Sequence, residues 1–224
     1  MDSSAVDDVL LLDSWMSVFC ARVRIALDEK GICYQKREED LITGHKTSLL
    51  LESNPVHKKI PVLIHNGKPI CESNIIVEYI DESWKSEPPL LPSDPYLRAQ
   101  ARFWADYVDK KVYAASMKLM MTKGEEQEKA VEEFIDILKV LEGQLGDKPY
   151  FMGETFGYVD ISLVPSYFSF YSYETLGNFS AEKECPKLIA WAKRCMERQS
   201  VSKSATDPHK IHELLLKYLK GIGV

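Results

Sequence analysis

Long apolar runs, excess positive charge and clustered cysteines are all missing from this sequence. No apolar stretch approaches the roughly 18 residues that a membrane-spanning helix needs, so we expect no membrane partner. The 34 acidic residues outnumber the 28 basic ones, and a formal net charge of −6 argues against nonspecific binding to nucleic acid. With 45% hydrophobic and 28% charged residues, the composition is typical of a soluble globular protein.

The cysteines and the N-terminus favour a cytosolic protein. The five cysteines are scattered and include no C-x-x-C pair: Cys20, Cys33, Cys71, Cys185 and Cys195. They support neither a disulfide framework nor a zinc site, so we expect no metal. The chain starts with Asp2, Asp7 and Asp8 and lacks the basic segment of a signal peptide. The cytosol is therefore the expected compartment.

Several ligand-binding motifs are also missing. The G-x-G-x-x-G and Walker A patterns do not occur, which leaves nucleotide binding without support. His209 and His212 are spaced to share a helix face, but no third ligand lies nearby in sequence. We interpret them as surface histidines.

The N-terminal part alternates between strand and helix patterns. We predict strands at about 9–14, 32–37, 61–65 and 68–71, and helices at about 19–30, 45–52 and 73–82. Gly31 is a typical stop after the first helix, and Asn66-Gly67 is a strong hairpin signal between the last two strands. The order, βαβ followed by α and then ββα, indicates a small mixed-sheet domain.

A proline-rich segment separates this part from an entirely helical one. After Trp84 it contains four prolines: Pro88, Pro89, Pro92 and Pro95. Beyond it, the segments with 3.6-residue periodicity are 95–122, 126–145, 158–175, 186–198 and 207–219. We therefore predict an α+β chain with a first domain at 1–83, a linker at 84–94 and an all-α domain at 95–224.

Ser17 is the most informative single residue. It lies where the apolar run at 9–12 ends and where a helical pattern begins, with Phe19 and Val23 on one face. A hydroxyl at a helix start is close to unsatisfied backbone N–H groups and to the positive end of the macrodipole, where an anion such as a thiolate can be held. A serine there is also an ordinary N-cap, and Ser17 alone does not separate the two interpretations.

Further polar groups lie at predicted strand ends and helix starts. Lys46 begins the weak second helix, and Lys58 and Lys59 directly precede a strand. Glu72 and Ser73 lie between the hairpin and the third helix. Each group has an ordinary explanation, as a solvated loop charge or as an N-cap. Their combination is less easily explained in that way.

The motifs resemble those of one known family. The N-terminal part contains Trp15-x-Ser17-x-Phe19-x-x-Arg22-Val23, Glu38-Glu39-Asp40-Leu41, Asn54-Pro55-Val56-His57-Lys58-Lys59-Ile60-Pro61-Val62-Leu63 and Glu72-Ser73. The helical part contains Arg102-Phe103-Trp104, Gly157-Tyr158-Val159-Asp160 and Glu184-Cys185-Pro186. With these motifs in this order, nearly the whole chain resembles the tau class of plant cytosolic glutathione transferases. The segment 54–63 together with Glu72-Ser73 is the most specific part of the resemblance.

The resemblance implies a fold and a first set of site residues. The fold is a thioredoxin-like N-terminal domain, with a mixed four-stranded sheet and helices, followed by an all-α C-terminal domain. Glutathione, the co-substrate, lies against the first domain. Ser17 donates a hydrogen bond to its sulfur and stabilises the thiolate. Lys46 and Lys59 contact the glycyl carboxylate.

The remaining groups of glutathione also have partners by this resemblance. Ile60, which precedes a cis Pro61, pairs its backbone with the cysteinyl unit. Glu72 and Ser73 hold the γ-glutamyl amine and carboxylate, and the helix N-terminus assists with the carboxylate.

The resemblance also implies an apolar cleft between the domains that takes the electrophile. Its matching positions in this sequence are Phe19, Tyr113, Met117, Met120, Ser169, Leu214 and Tyr218. Many tau members have Arg and Trp where Met117 and Met120 stand, and Trp where Ser169 stands. This departure suggests a roomier and softer pocket, because methionine adapts to irregular ligands. Core packing is the alternative interpretation of the methionines.

Two further residues are assigned structural roles. Some relatives carry a catalytic cysteine at the position that Ser17 occupies here. Cys20 lies one helical turn beyond Ser17, and we interpret it as a packed small side chain. Asp160 follows Gly157 by three residues and is interpreted as the acidic member of a capping box that supports folding.

The function implied by the resemblance is a glutathione S-transferase. It conjugates the glutathione thiolate to hydrophobic electrophiles in xenobiotic detoxification, and glutathione peroxidase activity belongs to the same expectation. The alternative is a non-catalytic protein that binds and transports apolar metabolites. A homodimer is expected from the family, with no nucleic-acid or membrane partner.

Overall fold

The computed structural model describes residues 8–85 and 88–223. The first seven residues of the predicted N-terminal domain, which include Asp2 and Asp7, lie outside this part. Residues 86 and 87 of the predicted linker also lie outside it. The chain divides into two compact units at the junction of Pro89 and Leu90. We call the part up to Pro89 unit 1 and the part from Leu90 unit 2.

Unit 1 is a four-stranded mixed sheet with helices, which confirms the predicted fold class. Its elements are β1 (Val9–Asp13), α1 (Val18–Glu29), β2 (Gln35–Glu38), α2 (Ser48–Ser53), β3 (Val62–His65), β4 (Lys68–Cys71) and α3 (Ser73–Ser83). The strand order is β2-β1-β3-β4. β1 runs parallel to β2 and antiparallel to β3, and β3 pairs with β4 in a hairpin.

Local sequence explains the elements that were predicted well. Gly31 has φ +65°, a conformation that L side chains rarely adopt, and it ends α1 as expected. Asn66 and Gly67, with φ of 50° and 74°, form the two-residue turn between β3 and β4. Positive φ at both central residues is what the tight turn of such a hairpin requires.

Two elements of unit 1 start later than predicted. β2 begins at Gln35 because the backbone N–H of Ile32 still donates to the Leu27 carbonyl, so the end of α1 occupies the expected strand start. α2 begins at Ser48 because Thr47 caps it, accepting from the N–H of Leu50 at 3.2 Å.

Unit 2 is helical throughout its named elements, as the periodicity predicts. They are α4 (Pro95–Tyr107), a π-helical segment (Val108–Tyr113), α5 (Ala114–Met121), α6 (Glu125–Leu145), α7 (Tyr158–Tyr167), α8 (Phe170–Gly177), α9 (Ala181–Glu184), α10 (Pro186–Met196), α11 (Gln199–Ser204) and α12 (Pro208–Gly221). No helix in residues 8–85 and 88–223 is both long enough and apolar enough to span a bilayer.

The helices of unit 2 differ from the predicted ones in detail. The long helix predicted at 95–122 contains the π-helical segment, and the one predicted at 158–175 is interrupted at Phe168 and Ser169. That interruption follows Pro165, which lies inside α7 and lacks a backbone N–H. The short helices α9 and α11 were not predicted.

The predicted structural role of Asp160 is confirmed. Its carboxylate is fully buried and accepts from the backbone N–H of Gly157 at 3.0 Å, in the capping-box relation, and from that of Phe151 at 3.1 Å. The indole N–H of Trp191 donates to it at 2.8 Å. Burial raises the pKa of Asp160 to about 6, and these hydrogen bonds act in the opposite direction. Asp160 therefore joins α7, α10 and the preceding loop.

Candidate functional site

The strand register brings the predicted site segments of unit 1 to one edge of the sheet. Asp13 pairs with Glu38 in the parallel pair, and Val62 pairs with both Leu12 and Cys71 in the antiparallel ones. The segments that follow β1, β2 and β4 and the segment that precedes β3 consequently lie at the same end of the sheet. They carry, in turn, Ser17, Lys46, Glu72-Ser73 and Lys59-Ile60.

Ser17 is the N-cap of α1. Its backbone is extended, with φ −83° and ψ 118°, and its hydroxyl accepts from the N–H of Cys20 at 3.2 Å. The side chain is half-buried. A serine hydroxyl has one donor and two acceptor positions, so capping leaves its proton able to turn toward an anion. The two interpretations of Ser17 are therefore compatible.

Cys20 is buried one turn into α1, as the sequence interpretation expects. It is 0% exposed, and burial raises the pKa of its thiol to about 12, with a hydrogen bond to Ser17 acting in the opposite direction. The reactive form of cysteine is the thiolate, which this environment disfavours near neutral pH. Cys20 therefore serves as a packed side chain.

Asn54 holds the loop that carries Lys59. Its side-chain amide donates to the Lys59 carbonyl at 2.9 Å, and its side-chain oxygen accepts from the N–H of His57 at 3.1 Å. Asn54 is buried, Lys59 is exposed, and the expected cis bond is present between Ile60 and Pro61. No separate role was predicted for Asn54, which is one residue of the segment 54–63. The Asn-Pro pair, which favours turn initiation, was the available signal for its role.

Glu72 and Ser73 lie at the start of α3. Glu72 is exposed and has φ +69°, a conformation that costs a non-glycine residue on the order of 1–3 kcal/mol and is often found at ligand sites. Ser73 is buried, and its hydroxyl accepts from the guanidinium of Arg22 at 3.1 Å. That guanidinium lies 5.0 Å from the ring centroid of Phe19. The role of Arg22 as a partner of Ser73 was missed.

Lys46 does not begin α2, which corrects the prediction. The cap is Thr47, and Lys46 lies just before it in an exposed loop. A threonine hydroxyl can satisfy a backbone N–H of the first turn, whereas a lysine side chain has no acceptor to offer. The ammonium of Lys46 is still carried by the segment that follows β2.

The predicted electrophile residues of unit 2 lie on elements that pack together. Tyr113 ends the π-helical segment, Met117 and Met120 are on α5, Ser169 precedes α8, and Leu214 and Tyr218 are on α12. α8 packs against both α5 and α12. These six side chains are all half-buried or exposed, so none is fully buried in a core. Phe19 belongs to unit 1, where it packs against Arg22.

Both histidines of α12 pack against the same aromatic side chain. His209 and His212 pack against Tyr171, with ring centroids 4.5 Å and 5.3 Å away, and His212 is half-buried. Among the described residues, no group of three or more His, Cys, Asp or Glu side chains is arranged to hold a metal ion.

Comparison with known proteins assigns the chain to a family. Residues 8–82 match the family model of the glutathione S-transferase N-terminal domain, and residues 102–199 match that of the C-terminal domain. The chain is 64% identical over 212 residues to a probable glutathione S-transferase, parC, from Nicotiana tabacum, covering 94% of this chain and 95% of that one. It is 59% identical over 218 residues to glutathione S-transferase U25 of Arabidopsis thaliana, covering 97% and 98%.

Two solved structures have the same fold over nearly the whole chain. The crystal structure of rice GST1 (OsGSTU1) in complex with glutathione has a TM-score of 0.94 and 46% identity, covering 99% of this chain and 100% of the rice chain. The tau-class MiGSTU from mango, Mangifera indica, has a TM-score of 0.88 and 43% identity, covering 95% and 98%. Given these matches, the protein belongs to the glutathione S-transferase family and, within it, to the plant tau class.

Proposed function

We propose that unit 1 binds glutathione along the sheet edge described above and that Ser17 stabilises its thiolate for attack on a hydrophobic electrophile. The observation that carries this proposal is the position of the Ser17 hydroxyl at the first turn of α1, at the same edge as the other polar groups. The rice relative was solved in complex with glutathione. The alternative of a non-catalytic carrier is not favoured, since the relatives are named transferases.

The available interactions are strong enough to ionise the thiol. A free thiol has a pKa of about 8.5, and lowering it by about two units takes roughly 2.7 kcal/mol. A hydrogen bond to a charged group contributes about 1.5–3 kcal/mol, and a helix N-terminus about 0.3–1 kcal/mol. Ser17 and α1 can therefore supply the stabilisation without a general base. The serine acts as a stabiliser and forms no covalent intermediate.

The ends of glutathione would meet partners of complementary charge. Lys46 and Lys59 are exposed cations that can take the glycyl carboxylate, and the backbone of Ile60 can pair with the cysteinyl unit. The carboxylate of Glu72 suits the γ-glutamyl amine. The hydroxyl of Ser73, which already accepts from Arg22, can donate its proton to the γ-glutamyl carboxylate at the start of α3.

We propose that the side chains grouped by α8 in unit 2 contact the electrophile. The sulfur lone pair forms the new bond to carbon, and the leaving group takes the electron pair of the bond that breaks. Met117 and Met120 are partly exposed beside Tyr113, which supports ligand contact over core packing. Detoxification of xenobiotics and reduction of organic hydroperoxides both fit the chemistry of a glutathione thiolate.

We also propose that the chain forms a homodimer and that it is located in the cytosol. On α4, Tyr96 and Phe103 are seven residues apart and share a helix face, and they are 69% and 56% exposed. Large exposed aromatic side chains on one face are typical of a protein–protein contact. We propose that this face contributes to the contact between two copies of the chain.

A kinetic comparison of Ser17→Ala with wild type tests the proposal. Losing a hydrogen bond to a charged sulfur should lower kcat by about 10- to 100-fold. KM for glutathione should change little, because Lys46, Lys59, Glu72 and Ser73 remain. Ser83→Ala, an exposed serine at the end of α3, is the matched control and should behave as wild type. Near-full activity of Ser17→Ala would show the mechanism to be wrong.

A further inference from the structure

Glu39 is a buried carboxylate at the sheet edge that binds the glutathione-site segments together. It directly follows β2 and is 2% exposed. Its backbone N–H donates to the Asp13 carbonyl at 2.8 Å, which fixes it to the end of β1. The proposed roles of the site residues make no use of this carboxylate.

Both oxygens of Glu39 are directed at one residue, Thr47. The Thr47 hydroxyl donates to one carboxylate oxygen at 2.5 Å, and the Thr47 backbone N–H donates to the other at 3.2 Å. The same hydroxyl accepts from the N–H of Leu50 at 3.2 Å, in the first turn of α2. Glu39 and α2 together therefore fix three parts of Thr47: the hydroxyl proton, the hydroxyl oxygen as an acceptor, and the backbone N–H.

Breaking this contact would leave a buried charge poorly compensated. A carboxylate away from water is unfavourable unless hydrogen bonds replace its hydration. Thr47 can therefore move away from the end of β2 only with a substantial free-energy penalty. The backbone on the C-terminal side of Lys46 is held by this contact.

Within the part of the chain that the structure describes, the hydrogen bonds of the rest of the Lys46 loop are short-range. Residues 40–46 are all exposed. Asp40 accepts from the N–H groups of Ile42 and Thr43 and from the Thr43 hydroxyl, within its own loop. The Glu39–Thr47 contact thus joins the Lys46 end of the loop directly to the end of β2, next to the packing of Leu50 in α2 against Leu12 and Val62.

We infer that Glu39 is a positioning residue for glutathione binding, acting through Thr47 to place the Lys46 ammonium at the glycyl carboxylate. The inference rests on the proposed function, which assigns that carboxylate to Lys46. Glu39 itself touches neither glutathione nor the electrophile. Its effect is on recognition of the glycyl end alone, so chemistry at the sulfur stays unchanged.

The test compares glutathione with γ-glutamylcysteine, which lacks the glycine, in Thr47→Val and Glu39→Gln. Each variant should raise KM for glutathione about fivefold, because the misplaced ammonium loses an ion pair at an exposed position, where such pairs contribute little. KM for γ-glutamylcysteine and kcat with either substrate should stay as in wild type. Thr47→Ser keeps the hydroxyl and should restore the wild-type KM. A poorly folded fraction lowers kcat but leaves the ratio of the two KM values intact.

A cycle with Lys46→Ala separates positioning from a general structural effect. If Thr47 acts through Lys46, adding Thr47→Val to Lys46→Ala should raise KM for glutathione no further. Thr43→Val, which removes the exposed threonine–carboxylate bond of the same loop, is the matched control and should leave KM unchanged. A rise in KM for both thiols in Thr47→Val, or an equal rise in Thr43→Val, would overturn the inference.

The cycle also distinguishes this inference from the proposed function. If Lys46→Ala leaves KM for glutathione unchanged, the assignment of Lys46 to the glycyl carboxylate is wrong, and the inference fails with it. If Lys46→Ala raises KM but Thr47→Val does not, the assignment stands and the positioning role of Glu39 alone is refuted.

Discussion

Replacing Lys30 with methionine should destabilise unit 1 strongly. The Lys30 ammonium, at the end of α1, lies 2.7 Å from the Asp81 carboxylate of α3, and the two side chains are only 1% and 6% exposed. It also donates to the Pro88 carbonyl at 3.1 Å. Lys30→Met leaves the buried carboxylate without this cation, and breaking a buried ion pair in that way costs about 3–5 kcal/mol.

The chain contains a matched exposed pair that serves as the control. Lys187 and Asp147 are also 2.7 Å apart, but their side chains are 57% and 93% exposed. Solvent screens exposed pairs of this kind, so Lys187→Met should barely change stability. The two variants remove the same group from pairs of equal length, and they differ in burial.

Urea unfolding followed by far-UV circular dichroism measures the difference. The free energy of unfolding should fall in the order wild type, Lys187→Met and Lys30→Met. The double variant Lys30→Met/Asp81→Leu should recover much of the loss, because it removes both buried charges. A loss in Lys30→Met no larger than in Lys187→Met would refute the reasoning that burial determines the effect.

Two further predictions concern the pH dependence of stability and the reactivity of the thiols. Burial raises the pKa of Asp160 from 3.8 to about 6, so the folded state binds the Asp160 proton more tightly than the unfolded state does. The resulting contribution to the free energy of unfolding is complete below about pH 4 and is lost as pH rises through about 6. Relative to Asp160→Asn, the unfolding free energy of wild type should fall by about 3 kcal/mol over that window, whereas a constant difference would contradict the assignment. A thiol reagent at mild alkaline pH should modify the exposed Cys33 rapidly and spare Cys20. The fast phase should disappear in Cys33→Ser and persist in Cys20→Ala, and the opposite pattern would show Cys20 to be accessible.

Elements set by neighbouring residues could be predicted from the sequence. The stop of α1 at Gly31 and the turn at Asn66-Gly67 depend on φ values that few residues adopt, so the residue type carries the information. The capping box of α7 spans four residues, from Gly157 to Asp160, and such a short segment of sequence was enough to predict it.

Contacts between residues distant in sequence could not be predicted in this way. Arg22 and Ser73 are 51 residues apart, and no local pattern indicates that α1 and the start of α3 meet. Glu39 resembles its neighbours Glu38 and Asp40 in sequence, yet it alone of the three is buried, since the end of β2 turns it toward Thr47. Burial of a charged side chain depends on the assembled sheet, which a window of sequence does not contain.

The π-helical segment at Val108–Tyr113 illustrates a further limit. Its apolar pattern fits the 3.6-residue period of the flanking α4 and α5, so a continuous α-helix was predicted. The segment packs against α6 and α7, and these contacts with distant residues are not visible in a window of sequence. Tyr113, a proposed electrophile contact, ends this segment.

The most direct test of the central claim is an ultraviolet pH titration of the thiol of bound glutathione, in wild type and in Ser17→Ala. The account predicts that the thiol in the wild-type complex has a pKa about two units below the free value of about 8.5. In Ser17→Ala, this pKa should rise most of the way back to the free value. A bound thiol that ionises at the same pH with and without the Ser17 hydroxyl would contradict the account.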